Sequence, residues 1–275
     1  MREMKSWRTA HPHKPVLDRN TPAYPAIRFF DQLSYVGDAN VGCFIYETEE
    51  GFIMIDSMWE DQRSIDIIEQ GIQDLGLDPH DMKAVLVTHG HVDHYGTADH
   101  FRDKYGAVIY MSEIDAAFAK QPLPFDANCY MKYDVTDFLG DMDEFKLGGA
   151  TITAVLTPGH TPGCLSFVIP VTDEGRPHMA ALWGGTGITP RTDKIAYLRS
   201  CRHFSEICEK MNVDVEISTH PFIDNSLPRY DICRNINDGV ANPFVIGHDA
   251  YKMYEDMFFN MCLDKVEEVL KSEKK

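Results

Sequence analysis

Thr88-His89-Gly90-His91-Val92-Asp93-His94 sets three imidazoles and a carboxylate close together, directly after the unbroken apolar run from Ala84 to Val87. A lone histidine in a chain carrying 12 of them among 275 residues is usually a solvated loop residue. Here the clustering decides otherwise. Imidazoles two and five positions apart on one loop converge on one or two cations, as paired histidines do in metalloprotease helices. Nitrogen and carboxylate oxygen together are the ligand set that zinc and other divalent first-row metals prefer.

Further ligands come from downstream. Thr157-Pro158-Gly159-His160-Thr161-Pro162-Gly163 follows the alternating segment Thr151 to Leu156, whose Ile152, Ala154 and Leu156 form one buried face, so His160 leaves a strand end. Val213 to Thr219 is a second alternating segment, with Val213, Val215 and Ile217 inward, and it delivers His220 ahead of Pro221. Three strand ends thus present five histidines and one aspartate. Open α/β folds bind their ligands outside the carboxyl ends of sheet strands.

With these residues the chain resembles the metallo-β-lactamase superfamily, whose signature is HxHxDH followed by separate single histidines. The resemblance spans most of the sequence. It takes in the hairpin Val41 to Asp56, the helix and turn running to Leu75-Gly76-Leu77-Asp78-Pro79, the segment Thr157 to Cys164, and Asn242-Pro243-Phe244. It implies an α/β protein, a four-layer αββα sandwich with residues 1–275 as a single hydrolase domain. Carried over by position, it implies that His89, His91 and His160 hold one zinc ion while Asp93, His94 and His220 hold a second.

In thioesterases of the glyoxalase II type, in lactonases and in RNA-processing members, the strand before the last histidine ends in an aspartate that bridges both metals. That strand is expected here at Met179 to Gly184, which puts Gly185 at the bridging position. Glycine offers neither that carboxylate nor the cysteine ligand of one large lactamase subclass. The pattern is similar to the third lactamase subclass, whose ions are held by His and Asp alone. Two departures accompany the likeness. The serines that hold the substrate carboxylate in that subclass are replaced by Gly185 and Gly187, with Thr186 as the one hydroxyl between them, and Asp56 is followed by Ser57-Met58 instead of a small residue and glycine. Asp56 itself is retained, and in the family it lies beneath the metal loop and orients its ligands.

The implied chemistry follows from charge. Zn²⁺ lowers the pKa of bound water to about 7, giving hydroxide at neutral pH. Asp93 is expected to ligate the second ion and to orient the nucleophile toward an acyl carbon. Without a bridging carboxylate, the second ion is expected to bind more weakly than the first. The expected reaction is hydrolysis of an amide, lactam or related acyl bond, and the two departures leave β-lactam hydrolysis open. The runner-up is a thioesterase or lactonase, and the non-hydrolytic alternative a redox or binding member.

Composition narrows the partners. The net charge of −17 argues against nucleic acid, whose binders need a basic patch to displace counterions. A small-molecule substrate is expected instead. Met1 to Trp7 lacks the apolar core of a signal peptide and no segment reaches membrane-spanning length, so a cytoplasmic protein without membrane contact is expected. Seven cysteines without CxxC spacing read as reduced thiols, with Cys164 structural.

Strands are expected at Phe29 to Val36, Val41 to Thr48, Phe52 to Asp56 and Ala84 to Thr88. Helices are expected at Asp61 to Leu75 with Gly76 as stop, around Ala98 to Lys104, over Ser112 to Ala119, near Lys194 to Met211, and from Asp249 to Leu270. The last helix groups Tyr254, Met257, Phe258, Met261 and Cys262, an apolar stripe expected to face the core in preference to a homo-oligomer seam. Two loops are candidates for substrate contact. Gln121 to Phe138 carries Phe125, Tyr130, Met131 and Tyr133, which either wall a pocket or pack the loop down, and Phe222 to Phe244 carries Arg229, Tyr230 and Arg234, with an arginine as potential carboxylate clamp.

Overall fold

The computed structural model describes residues 19, 21–122, 129–235 and 240–272. Two sheets organise them. The first has seven strands in sequence order: β1 (Ala23–Arg28), β2 (Leu33–Asp38), β3 (Gly42–Thr48), β4 (Gly51–Ile55), β5 (Met82–Leu86), β6 (Val108–Met111) and β7 (Asp137–Phe138). Pairing is antiparallel from β1 to β4 and parallel from β4 to β7. The second sheet runs in the order β12 (Val215–Ile217), β11 (Arg176–Leu182), β10 (Leu165–Asp173), β9 (Ala150–Leu156) and β8 (Glu144–Leu147), antiparallel except for the parallel β11/β12 pair.

The sheets face each other across a core that includes Leu33, Phe44, Ile53, Ala84 and Leu86 from one and Ile152, Ala154, Phe167, Ile169 and Leu182 from the other. A second apolar layer covers the outer face of the seven-stranded sheet. It joins Ile45, Met54 and Val85 to Ile68 and Ile72 of α1 (Gln62–Asp74) and Phe101 of α3 (Ala98–Tyr105), the helix that follows the short α2 (Val92–Tyr95). A third layer joins Val155, Val168 and Ala181 to Phe204 and Cys208 of a long helix (Lys194–Lys210) and Phe258 of the last one (His248–Ser272). Helices thus flank both sheets, and the expected αββα sandwich is what the chain forms.

Local chemistry explains the boundaries. Asp61 caps α1 by accepting the Ser64 amide at 2.8 Å, and Gly76, at φ +78°, ends it, as expected. β5 is nearly all apolar because it is buried on both faces, with Ala84 and Leu86 in the inner core and Val85 in the outer layer. The strands at Arg176–Leu182 and Val215–Ile217 end earlier than the expected Met179 to Gly184 and Val213 to Thr219. Their last residues leave the ladders to become the loops of the site. Of the apolar stripe on the last helix, Phe258 and Cys262 are buried, Tyr254 and Met257 are half-buried against the same layer, and Phe258 stacks on Trp183.

A double cluster of metal-type ligands

The six residues arrive on three loops at one end of the sandwich. β5 delivers Thr88 and His89, and His91 begins α2, which carries Asp93 and His94. The loop after β9 delivers His160. β12 leads to His220, which begins α6 (Pro221–Asp224), the helix that follows α4 (Glu113–Ala119) and the Lys194–Lys210 helix, α5. Backbone bonds tie these loops across the two sheets. The Leu165 amide donates to the Thr88 carbonyl at 2.7 Å, and the Gly42 amide to the Thr219 carbonyl at 2.9 Å.

Two groups form. His89, His91 and His160 make one, and Asp93, His94 and His220 the other, with the facing donor atoms of each group within 4.8 Å of one another. The His89 and His94 rings lie with centroids 3.9 Å apart, so the groups are neighbours.

The partners behind each ring set which nitrogen faces inward. His160 Nδ1 donates to the Gly187 carbonyl at 2.5 Å and His220 Nδ1 to the Asn40 carbonyl at 2.7 Å. His94 Nδ1 donates to Asp56 Oδ2 at 2.7 Å. The Thr88 hydroxyl donates to Asp56 Oδ1 at 2.8 Å, which leaves its oxygen to accept from His89 Nδ1 at 3.0 Å. Each of these bonds holds the proton on Nδ1, so in the neutral rings of His89, His160 and His220 the Nε2 atom is a bare lone pair. His94 Nε2 stands 3.1 Å from His220 Nε2, and His91 Nδ1 stands 3.1 Å from His89 Nε2 and 2.9 Å from His160 Nε2. A ring proton or a cation between the nitrogens accounts for such distances. A tetrahedral zinc ion with bonds of about 2.0–2.1 Å separates its ligands by about 3.3 Å, close to what these nitrogens show. The donor set fits a metal ion.

Electrostatics agree. Burial, reinforced by the neighbouring imidazoles, pushes His89 well below its usual pKa. Burial likewise takes His91 down to about 4 and His160 down to about 3, and lowers His220. These side chains are neutral at pH 7. Burial also works against a charge on His94, but the Asp56 and Asp93 carboxylates outweigh it and hold this group up. Asp93 is held below the usual carboxylate range because His94, His220 and His91 overcome its burial.

Asp56 is fully buried and held at φ +62°, a strained conformation for a residue other than glycine. Its carboxylate takes the Thr88 amide, the Thr88 hydroxyl and His94. The next amide, that of Ser57, donates to the His94 carbonyl at 2.7 Å. Asp56 lies beneath the metal loop, as the family likeness implies.

Gly185 follows β11 in the stretch Trp183-Gly184-Gly185-Thr186-Gly187. A Cβ built on it would lie 2.4 Å from the Cβ of His160, and one on Gly187 would lie 3.1 Å from His160 Cε1. The glycines make room for the ring. Thr186, between them, is buried.

The candidate substrate arginines are used elsewhere. Arg229 lies on α7 (Ser226–Asn235), bonded to Glu216 at 2.8 Å and Asp224 at 2.6 Å, and Arg234 donates to the Pro25 carbonyl. Tyr230 is buried and stacks on Tyr35. In the Gln121 to Phe138 loop, Met131 and Tyr133 pack the segment onto the body, and Tyr133 donates to the Tyr95 carbonyl at 2.8 Å. Tyr130 and Tyr133 line a cavity of about 600 Å³ with Tyr95, Thr97 and His100, but none of the six clustered residues lines it. Phe125 lies outside the described residues, as do His11 and His13. Of the remaining histidines, His100 pairs with Glu69, His178 with Asp214 and His203 with Asp141. No disulfide joins the cysteines, and Cys164 is buried outside both ligand groups.

Sequence reasoning did not anticipate Asp115. This buried carboxylate accepts the Gly90 amide at 2.7 Å, the Gly163 amide at 2.6 Å and the Thr161 hydroxyl at 2.6 Å. Its burial pushes its pKa up against the pull of those donors. The signal was the S-x-x-D spacing of Ser112 and Asp115, which normally marks a capping box.

The sequence profile of the Metallo-beta-lactamase superfamily matches residues 36–173, half of the chain and five of the six clustered residues. The chain belongs to that superfamily. As a member it is a metal-dependent hydrolase. A hydroxyacylglutathione hydrolase, GloC, from Haemophilus influenzae is 29% identical over 162 residues, 53% of this chain and 75% of the relative. Among solved structures, a mutant of the metallo-beta-lactamase FEZ-1 from Legionella gormanii superposes with a TM-score of 0.81 at 24% identity, covering 92% of this chain and 98% of the other. The subclass B3 metallo-beta-lactamase BJP-1 of Bradyrhizobium japonicum superposes with a TM-score of 0.76 at 24% identity, covering 91% and 97%. These superpositions share the metallo-beta-lactamase fold across nearly the whole chain. Among the described residues no helix is long and apolar enough to cross a membrane.

Proposed function

We propose that this member of the superfamily is a zinc hydrolase with two ions, acting on a small molecule that carries an amide, lactam or related acyl bond, with β-lactams as the first class to test. The reading rests above all on the ligand set. Five imidazoles and one carboxylate are arranged as two facing groups, and the close packing of Gly185 on His160 argues against a bridging carboxylate at that position.

His89 Nε2, His91 Nδ1 and His160 Nε2 would hold one ion, and Asp93 Oδ2, His94 Nε2 and His220 Nε2 the other. Zinc so bound supplies hydroxide at neutral pH and a Lewis acid for the acyl carbonyl. The chain contributes orientation and proton handling. Asp93 has Oδ2 3.8 Å from His94 Nε2 and 3.7 Å from His220 Nε2, and its second oxygen is an acceptor able to align the attacking oxygen and hold its proton. The carbonyls of Gly187 and Asn40 and the Asp56 carboxylate fix the imidazoles before substrate arrives. Without a carboxylate shared between the groups, the ion at Asp93, His94 and His220 is the weaker of the two.

A thioesterase reading is favoured by one observation, the extent of the match to the Haemophilus hydroxyacylglutathione hydrolase. The zinc-loaded protein should be assayed in parallel on a chromogenic cephalosporin, an acyl-homoserine lactone and a glutathione thioester. Turnover of the cephalosporin supports the first reading. Failure on it with clear turnover of either of the others overturns that order.

A further inference from the structure

α4 stands between the two loops that carry the three-histidine group. Its first turn touches both. Ser112 caps the helix by accepting the Asp115 amide at 3.0 Å, and its hydroxyl donates to the Gly163 carbonyl at 2.5 Å. In a capping box the acidic side chain would turn back to the Ser112 amide. Here both Asp115 oxygens reach outward instead. Oδ2 takes the amide of Gly90, between His89 and His91, together with the hydroxyl of Thr161, next to His160. Oδ1 takes the amide of Gly163.

The contact is close on both sides. A Cβ on Gly90 would lie 2.9 Å from the Asp115 carbonyl oxygen and from Phe118, and one on Gly163 would lie 2.4 Å from Ser112 Oγ and 2.7 Å from the Asp115 amide. Two loops separated by some seventy residues of sequence therefore meet on one carboxylate, with glycine on each at the point of contact. Asp93, His94 and His220 make no bond to it.

We infer that Asp115 is a positioning residue for the three-histidine group, setting the distance between His160 and the pair His89 and His91 and so the zinc affinity of that group alone. The inference rests on the two-ion reading above. Asp115→Asn keeps the shape but turns an amide NH₂ toward donors on one side, which forces one of the two loops away. Groups that orient metal ligands typically govern affinity by about 10–100-fold.

The test isolates each group and reads zinc affinity by chelator competition. In a His220→Ala background, where the three-histidine group is intact, Asp115→Asn is expected to weaken zinc binding by about tenfold or more. In a His160→Ala background, where only Asp93, His94 and His220 are intact, the change is expected to stay below about threefold. Thr161→Val, which removes one donor and no charge, should reproduce the selective loss more mildly, and it carries the test if Asp115→Asn does not fold. Equal weakening in both backgrounds, as a general loss of structure would produce, overturns the inference, and so does unaltered affinity in the first. A wild-type protein that binds no zinc would remove the metal reading and this inference with it, whereas wild-type binding with insensitive variants removes only the inference.

Discussion

Gly185 packs directly on the ring-bearing carbon of His160, leaving 2.4 Å for any Cβ that another residue would bring. The backbone of Gly185 is not in the left-handed region, so the demand is for space, not conformational freedom. Gly185→Asp is therefore expected to displace His160 instead of creating a bridging ligand. Zinc content after dialysis should fall toward one ion per chain and turnover by at least about tenfold, and Gly185→Ala should act in the same direction. A variant that retained two ions and full activity would show that the ring has room to give.

Asp56 stabilises three donors at once, including the Nδ1 proton of His94. Asp56→Asn removes the charge and allows an amide NH₂ to face that nitrogen, which favours the wrong tautomer. Zinc affinity at the Asp93, His94 and His220 group is expected to drop by about 10–100-fold. Isothermal titration of the variant measures this directly.

Acid should weaken the metal-free protein. His91 and His160 titrate near 4 and 3 in the folded chain, below the ordinary value of 6.5 that the unfolded chain would show. Between those limits the unfolded chain binds more protons, so stability rises with pH and is lost as pH falls from about 6.5 toward 4. His94, whose pKa is raised, acts in the opposite sense above 6.5. The melting midpoint of the chelated protein is expected to drop by several degrees between pH 7 and pH 5. Calorimetry across that range checks the sign.

Arg229 holds two buried carboxylates, Glu216 on β12 and Asp224 at the end of α6, on either side of the His220 loop. Arg229→Met leaves both without their counter-charge, and a loss of about 3–5 kcal/mol in urea unfolding at pH 7 is expected. Burial and the Glu216 charge already push Asp224 well above the usual carboxylate range, so the loss should shrink as pH falls and Asp224 protonates. A loss independent of pH would point to packing instead.

Much of this architecture was legible because it is written in local patterns. Asp61 and Gly76 bracket a helix by capping chemistry, the apolar run of β5 reports burial on both faces, and the HxHxDH spacing with His160 and His220 marks the six residues that gather into two groups. What the sequence does not display are contacts between distant segments. Nothing near Asp115 says that its carboxylate crosses to two loops, and nothing near Arg229 says that Glu216 and Asp224 hold it away from substrate. The carbonyls of Asn40 and Gly187 carry no side-chain signal, yet they set the tautomers of His220 and His160. Within the segment Phe222 to Phe244, α7 buries only Ser226 and Tyr230.

The most direct test is a crystal structure of the zinc-loaded protein with anomalous data at the zinc edge. Two peaks are expected, one about 2.0–2.1 Å from His89 Nε2, His91 Nδ1 and His160 Nε2, the other bound by Asp93, His94 and His220. A single peak outside both groups, or an ion held at another His–Asp pair such as His178 and Asp214, would contradict the account.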